Sequence, residues 1–189
     1  GRSANLNGNA RLRWKLSESL SLNLAPFFAL SQNDGSSQTH AEGTRFRDNH
    51  GENDGRMHNL RLNLSASYRP QAGETWDLRV ARGAFKTTNN GHRRDTQTFA
   101  GTTTQRLQDD HNTTEEDQTS LGAKWSLKTA KEHQWVTGVE GERSVRTQFR
   151  STLVNGLPLP GLVRFGNDLG SRNQRFATYT QDEWSPSKQ

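Results

Sequence analysis

Apolar and polar residues alternate along much of this chain. From Ala10 to Leu16 a cation occupies every second position, which is the period of a β-strand whose two faces differ, and helix is excluded there. The same alternation recurs from Leu20 to Leu30, where leucines and Phe28 share one face. Segments predicted as strands lie near 10–16, 20–30, 60–69, 76–81, 120–127, 135–140 and 176–184. The facing of the last one is not predicted.

Short and long connections alternate between these strands. Three tight turns are expected near 17–19, 70–74 and 128–132, and three long, polar loops near 31–56, 87–118 and 145–174. Long loops are uncommon in compact domains, whereas outer-membrane barrels have short periplasmic turns and long extracellular loops. The sequence therefore predicts an all-β fold, an antiparallel up-and-down meander of about seven strands, with residues 1–189 forming part of a transmembrane β-barrel.

Large aromatic residues lie close to the predicted short turns. Barrel strands carry girdles of Trp and Tyr where they cross the membrane interface, whereas a general preference of Trp for strands would scatter these residues. The predicted membrane-interface aromatics are Trp14, Tyr68, Trp76, Trp125, Trp135 and Trp184.

Composition agrees with a two-faced sheet better than with a compact core. Only 29% of the 189 residues are hydrophobic and the mean hydropathy is −1.03, so a water-soluble core is not expected. No run reaches the roughly 20 apolar residues of a membrane-spanning helix, and no signal-peptide pattern opens the chain. A strand pattern begins within about ten residues of Gly1, so we expect the chain to be an internal piece. Cys is absent, which excludes disulfides, zinc ribbons and cysteine nucleophiles.

Basic residues concentrate on the predicted polar face. The net charge is +5, and like-signed walls concentrate ligands of opposite charge. These cations are expected either to bond the carboxylates of a plug or to favour anionic substrates. Because no aromatic stacking platform shares their face, nucleic acid is not an expected partner. The residues predicted to face the barrel lumen are Arg11, Arg13, Lys15, Arg61, Arg69, Arg79 and Lys124.

Two segments carry a family resemblance. The run Tyr179-Thr180-Gln181-Asp182-Glu183-Trp184 resembles the Tyr-x-Gln-Asp-Glu-Trp segment frequent in TonB-dependent outer-membrane receptors, and Val136-Thr137-Gly138-Val139-Glu140-Gly141 is similar to a strand that often precedes it. The resemblance implies a 22-stranded barrel in the outer membrane of a Gram-negative bacterium. It also implies an N-terminal plug and import of a ferric siderophore, haem or cobalamin, powered by the TonB complex.

The chain departs from that family in its size. It has about seven predicted strands, with neither a plug domain nor a TonB-contacting segment, so we expect a fragment of the barrel that cannot transport alone. The expected partners are outer-membrane lipid and lipopolysaccharide, and, in the full-length protein, the plug, the TonB complex and a small iron chelate.

The best ligand candidates lie in the predicted loops, where recognition residues concentrate. Arg45-Phe46-Arg47 and Arg164-Phe165 each place an aromatic ring beside a guanidinium group. This pairing suits an anionic, aryl-bearing siderophore through charge-assisted hydrogen bonds and stacking. Loop packing and contact with lipopolysaccharide phosphates are the other interpretation.

No catalytic signature occurs in the sequence: it lacks a phosphate loop, a Gly-x-Ser-x-Gly elbow and a His-Glu-x-x-His pair. His40, His50 and His58 lie near acidic residues, but the calcium-loop template fails because its twelfth position, counted from Asp48, is Asn59. We therefore predict no enzyme, no metal site and no cofactor.

Two other functions remain open at this level. One is a passive pore or an adhesin-type outer-membrane barrel. The other is a soluble β-rich binding domain, which would partition into buffer without detergent. A plug domain encoded upstream in the same reading frame would distinguish the TonB-dependent receptor from these two alternatives.

Overall fold

A computed structural model describes residues 1–43, 46–129, 133–159 and 167–184. All of its regular structure is β-strand in the described ranges, and no helix there is long and apolar enough to cross a membrane. The strands are β1 (Arg2–Asn9), β2 (Leu12–Lys15), β3 (Leu20–Ala41), β4 (Phe46–Tyr68), β5 (Glu74–Phe99), β6 (Thr102–Lys128), β7 (His133–Val154), β8 (Leu157–Pro158) and β9 (Asp168–Trp184).

The strands form one antiparallel sheet in which successive long strands are neighbours. β3 pairs with β4, β4 with β5, β5 with β6, β6 with β7, and β7 with β9. β1 and β2 both pair with β3, and the two residues of β8 fold back on the end of β7. The predicted all-β, antiparallel meander is confirmed.

Pro26 explains why the edge of the sheet beside β3 is divided into β1 and β2, of which β2 is the strand predicted near 10–16 and β1 was not predicted. Both strands keep one register along β3, with Asn9 opposite Phe27 and Leu12 opposite Leu24. The backbone N–H of Ala10 donates to the carbonyl of Pro26 at 3.2 Å, so Pro26 faces this strand. Proline has no N–H to return the second bond of an antiparallel pair, and the ladder is interrupted there.

The sheet has two chemically different faces. Because successive side chains point to opposite sides, paired residues share a face, and the unbroken register carries that assignment from strand to strand. We call the face with Leu22, Leu62, Leu78 and Leu127 the apolar face. The opposite face, with Arg13, Asn23, Arg61, Arg79 and Lys124, is the polar face. This separation agrees with the sequence-based assignment.

The strands are much longer than the alternating pattern predicted. β3 to β7 contain 22 to 27 residues each, so most of 31–56 and 87–118 is strand rather than irregular loop. Both faces of these extensions are polar, so no apolar alternation marks them, although their backbone ladder is complete. The position of these hairpin ends relative to a membrane stays a prediction.

Two of the distal turns are two-residue hairpins with positive φ at both positions. They are Ala100–Gly101, with φ of 49° and 77°, and Asn155–Gly156, with φ of 51° and 77°. Such turns match the right-handed twist of the strands that they join. At the other end of the sheet, the connections after β2 and β4 agree with the short turns predicted near 17–19 and 70–74, and the third turn lies partly outside the described residues.

The sheet is a single layer. Among the described residues Val136 is the only buried hydrophobic side chain, and many large apolar side chains are exposed, including Leu121 at 60% and Phe176 at 74%. A contiguous exposed apolar surface of this kind needs lipid or another protein surface to cover it.

Candidate functional site on the polar face

The polar face holds all seven predicted lumen-facing cations. Arg13, Lys15, Arg61, Arg79 and Lys124 occupy its register positions within the strands. Arg11 falls in the interruption between β1 and β2, where the register continues, and Arg69 follows the last residue of β4. Whether this face lines a barrel lumen stays a prediction.

A basic cleft lies on the polar face near the short turns. It encloses about 480 Å³, and its charged walls include Arg13, Arg69 and Arg79. These three guanidinium groups have no ion-pair partner within the described ranges. The side-chain oxygen of Asn23, which also lines the cleft, is buried without a hydrogen-bond partner. The cleft can therefore accept carboxylates on its guanidinium groups and one further donor at Asn23.

Two other cations in this half of the face, Lys124 and Lys15, are already paired with carboxylates. Lys124 Nζ lies 3.1 Å from Asp77 Oδ2 on the adjacent strand, and Lys15 Nζ lies 3.7 Å from Glu18 in the turn. Exposed pairs of this kind contribute little stability. Because of these pairs, Lys15 and Lys124 are not available to bind an anionic ligand.

A second basic cluster lies at the distal ends of β4, β5 and β6. Arg47 donates from Nε and Nη2 to the two carboxylate oxygens of Asp95, at 3.0 and 2.6 Å. Arg106 is the register partner of Asp95, and Arg93 Nε donates to the side-chain oxygen of Asn49 at 3.3 Å. We call Arg47, Arg93, Arg106, Asp95 and Asn49 the distal cluster.

One carboxylate stands among three guanidinium groups in the distal cluster. The hydrogen bond from Arg47 is the main cause that lowers the pKa of Asp95, and the charges of Arg47, Arg93 and Arg106 lower it further. Asp95 therefore remains ionised and holds Arg47 in place. The cluster keeps a surplus of positive charge that suits an anionic ligand.

The loop candidates from the sequence are only partly brought together. Arg45, Arg164 and Phe165 lie outside the described residues. Phe46 and Arg47 are consecutive strand residues, so they lie on opposite faces. Phe46 packs near His40, with ring centroids 6.1 Å apart, whereas Arg47 binds Asp95. The structure therefore does not form the predicted aromatic and guanidinium pair from these two residues.

Sequence reasoning missed Arg93 and Arg106. Both lie in 87–118, where the sequence predicts a loop and no apolar alternation indicates which face a residue occupies. The positive-φ turn at Ala100–Gly101 sets the register that brings β5 and β6 together at this point. A hairpin centred on Gly101 was the one available signal.

The aromatic residues predicted for the membrane interface share the apolar face and lie toward its short-turn end. Trp76 and Trp125 are register partners with ring centroids 5.9 Å apart. Both indole N–H groups donate to Glu74 Oε1 at 3.0 Å, which fixes their orientation. The complete set on this face is Trp14, Tyr68, Trp76, Trp125, Trp135 and Trp184.

All six histidines lie on the apolar face. His92 Nδ1 lies 2.7 Å from Asp109, and this hydrogen bond is the first cause that raises the pKa of His92. His40 and His50 each bond a glutamate two residues further along the chain, at 3.2 Å. In the part of the chain that the structure describes, no group of three His, Asp or Glu side chains is arranged to hold a metal ion.

Solved structures of outer-membrane proteins match this chain at low sequence identity and with TM-scores below 0.5. The ferric citrate transporter FecA in its unliganded form has 10% identity and a TM-score of 0.46 over 95% of this chain and 24% of FecA. Acinetobacter baumannii CarO has 14% identity and a TM-score of 0.23 over 98% of this chain and 80% of CarO. The ferric yersiniabactin uptake receptor FyuA from Yersinia pestis has 10% identity and a TM-score of 0.24, over 96% and 34%.

This chain spans about a quarter of the length of FecA. No protein-family model matches the sequence, and no curated protein matches it. The role of the chain is therefore inferred from its own residues.

Proposed function

We propose that this chain is part of the wall of an outer-membrane β-barrel. The observation that carries the proposal is a single-layer meander with one apolar face, one cationic face, and six Trp and Tyr residues at the short-turn end of the apolar face. A lipid-embedded barrel wall has an apolar exterior, a polar interior and aromatic residues at the interface in this arrangement.

The aromatic edge crosses the sheet obliquely, which supports a barrel. The register row through Tyr68, Trp76 and Trp125 reaches Thr180 in β9. The aromatic edge of β9 is Trp184, which lies four residues closer to the short-turn end. Strands of a barrel tilt by about 35 to 45° from the membrane normal. The plane of the membrane interface therefore crosses successive strands at different register positions, as these aromatic residues do.

We further propose that the barrel serves TonB-dependent uptake of an anionic iron chelate. The resemblance of Gln181-Asp182-Glu183-Trp184 to the receptor family supports this function, as does the positive charge of the polar face. In this proposal the basic cleft near the short turns receives carboxylates of a plug, and the distal cluster binds the incoming chelate. The role needs no catalysis by this chain.

Ligand binding by the parent receptor tests the distal cluster. Arg93→Gln with Arg106→Gln removes two guanidinium groups and leaves the Arg47–Asp95 pair intact. We expect the affinity for an anionic iron chelate to fall about tenfold or more, because each charge-assisted contact contributes roughly 1 to 3 kcal/mol. Ferric citrate is a suitable first probe because of its charge.

The matched control is Arg56→Gln with Arg94→Gln, which removes the same charge from the apolar side of the same hairpins. Unchanged chelate affinity in the Arg93 and Arg106 variant, or an equal loss in the control, would contradict the assigned site. Uptake that continues after the proton-motive force is collapsed would contradict active transport and indicate a passive pore.

A further inference from the structure

A slot runs along the apolar face above the aromatic edge. Leu121, Gly141 and Phe176 are consecutive partners in one register row, on β6, β7 and β9. A Cβ added at Gly141 would meet no atom within 4 Å, so the space between the two large side chains is open. Leu121 and Phe176 are among the most exposed apolar residues of the sheet, at 60% and 74%. The slot therefore has a backbone floor and two apolar walls, the shape that an acyl chain fits.

Two arginines stand at the distal end of this slot. Arg143 lies two residues beyond Gly141 on β7, and Arg172 lies four residues before Phe176 on the antiparallel β9, which is also toward the distal end. Arg143 pairs with Gln174 and Arg172 with Val145, so the arginines are diagonal neighbours on the apolar face. Diagonal pairs of this kind lie within reach of long side chains, so both guanidinium groups can contact one anion.

These two guanidinium groups have no ion-pair partner in the described residues, whereas the cations in nearby register rows of the apolar face are paired. Lys86 lies 2.6 Å from Glu115, and Arg82 lies 3.8 Å from Asp117, which is the diagonal neighbour of Arg143 on this face. Neither Arg143 nor Arg172 forms an ion pair or a side-chain hydrogen bond to any residue that the structure describes. Unpaired guanidinium groups suit phosphate, which they bind through two parallel N–H donors.

From this geometry we propose a lipid-binding site on the apolar face, formed by Gly141, Leu121, Phe176, Arg143 and Arg172. Its ligand is the phosphorylated lipid A portion of lipopolysaccharide, with an acyl chain in the slot and a phosphate on the two arginines. The inference rests on the proposed outer-membrane location. It adds a site that is separate from the polar face and from the chelate.

The positions of the charged side chains along the strands indicate which leaflet of the outer membrane supplies the lipid. The cations lie on the distal side of the slot, which in the proposed orientation faces the cell exterior. At the opposite edge the apolar face carries the carboxylates of Glu74 and Asp182 instead. An anionic headgroup at that edge would meet negative charge, so a phospholipid of the inner leaflet does not fit the same polarity.

Lipid binding by the full chain in detergent micelles tests the site. Native mass spectrometry counts the lipid A molecules retained by the wild type and by the Arg143→Gln, Arg172→Gln variant during a lipid A titration. We expect the double variant to bind roughly thirty-fold more weakly, because each guanidinium group near an anionic headgroup contributes about fivefold. Lipid A without its phosphates should bind both proteins equally weakly.

Two further variants separate charge from shape. Arg146→Gln with Arg175→Gln removes the same charge from the polar face of the same two strands, and it should bind lipid A like the wild type. Gly141→Leu places a side chain in the slot, where its Cβ meets no atom within 4 Å, and keeps both arginines. We expect this variant to bind both lipid A and dephosphorylated lipid A more weakly, since the acyl chain of each needs the slot.

The proposal is overturned if the Arg143 and Arg172 variant retains lipid A fully, or if the Arg146 and Arg175 control loses as much. Equal retention of an inner-leaflet phospholipid and lipid A by the wild type would also overturn it. Flotation of the same samples with lipid vesicles distinguishes the two levels of inference. A chain that floats without binding lipid A refutes the site alone, whereas one that stays in buffer refutes the membrane location.

Discussion

Leu64 provides the sharpest test of which face meets lipid. It lies in the middle of the apolar part of β4, between Leu60 and Tyr68, and its side chain is 42% exposed. Its register partners are Leu24 and Val80, both on the apolar face. Leu64→Arg therefore places a cation in the centre of an apolar band, with no acid opposite it.

The expected loss of stability in Leu64→Arg follows from the depth of Leu64 in the membrane. A lipid-facing arginine at the bilayer midplane of a barrel costs about 2 to 4 kcal/mol. This corresponds to roughly a thirty-fold to several-hundred-fold decrease in the ratio of folded to unfolded protein. The free energy of unfolding is measured by urea titration of the parent barrel in lipid vesicles, with tryptophan fluorescence as the signal.

Asn63→Arg is the matched control. Asn63 is the neighbouring residue in β4 and lies on the polar face, where Arg61 already projects. An exposed substitution in a polar environment usually changes stability by less than about 0.5 kcal/mol. Equal losses in the two variants, or a larger loss for Asn63→Arg, would refute the assignment of the apolar face to lipid.

Two other predictions concern hydrogen bonds at the two ends of the sheet. Because Asp109 raises the pKa of His92 above 6.5, their contact stabilises the hairpin below pH 6.5, and this contribution is lost as the pH rises through the raised pKa. In an NMR titration Asp109→Asn should return the His92 pKa toward 6.5; an unchanged pKa would contradict the contact. Glu74→Ala should speed hydrogen exchange at the Trp76 and Trp125 indoles, whereas Glu18→Ala should not.

The sequence alone determined the fold class and the chemistry of the two faces. In the segments near the short turns, leucine and tryptophan alternate with cations, and a strand is the only regular structure that separates them. Leu22 and Asn23, or Leu78 and Arg79, could therefore be assigned to faces without coordinates. A slip of one residue would reverse a whole strand, so this assignment is strongly specified.

Tertiary structure decided the distal half of the sheet and both binding sites. From 31 to 56 and from 87 to 118 both faces are polar, so no period in the sequence distinguishes strand from loop, and only cross-strand pairing fixes the register. Because this segment is strand, Phe46 and Arg47 lie on opposite faces, and the β5–β6 register places Arg106 opposite Asp95. The β7–β9 register places Arg143 diagonally to Arg172, because neighbours across a sheet are set by the pairing of distant segments and not by distance along the chain.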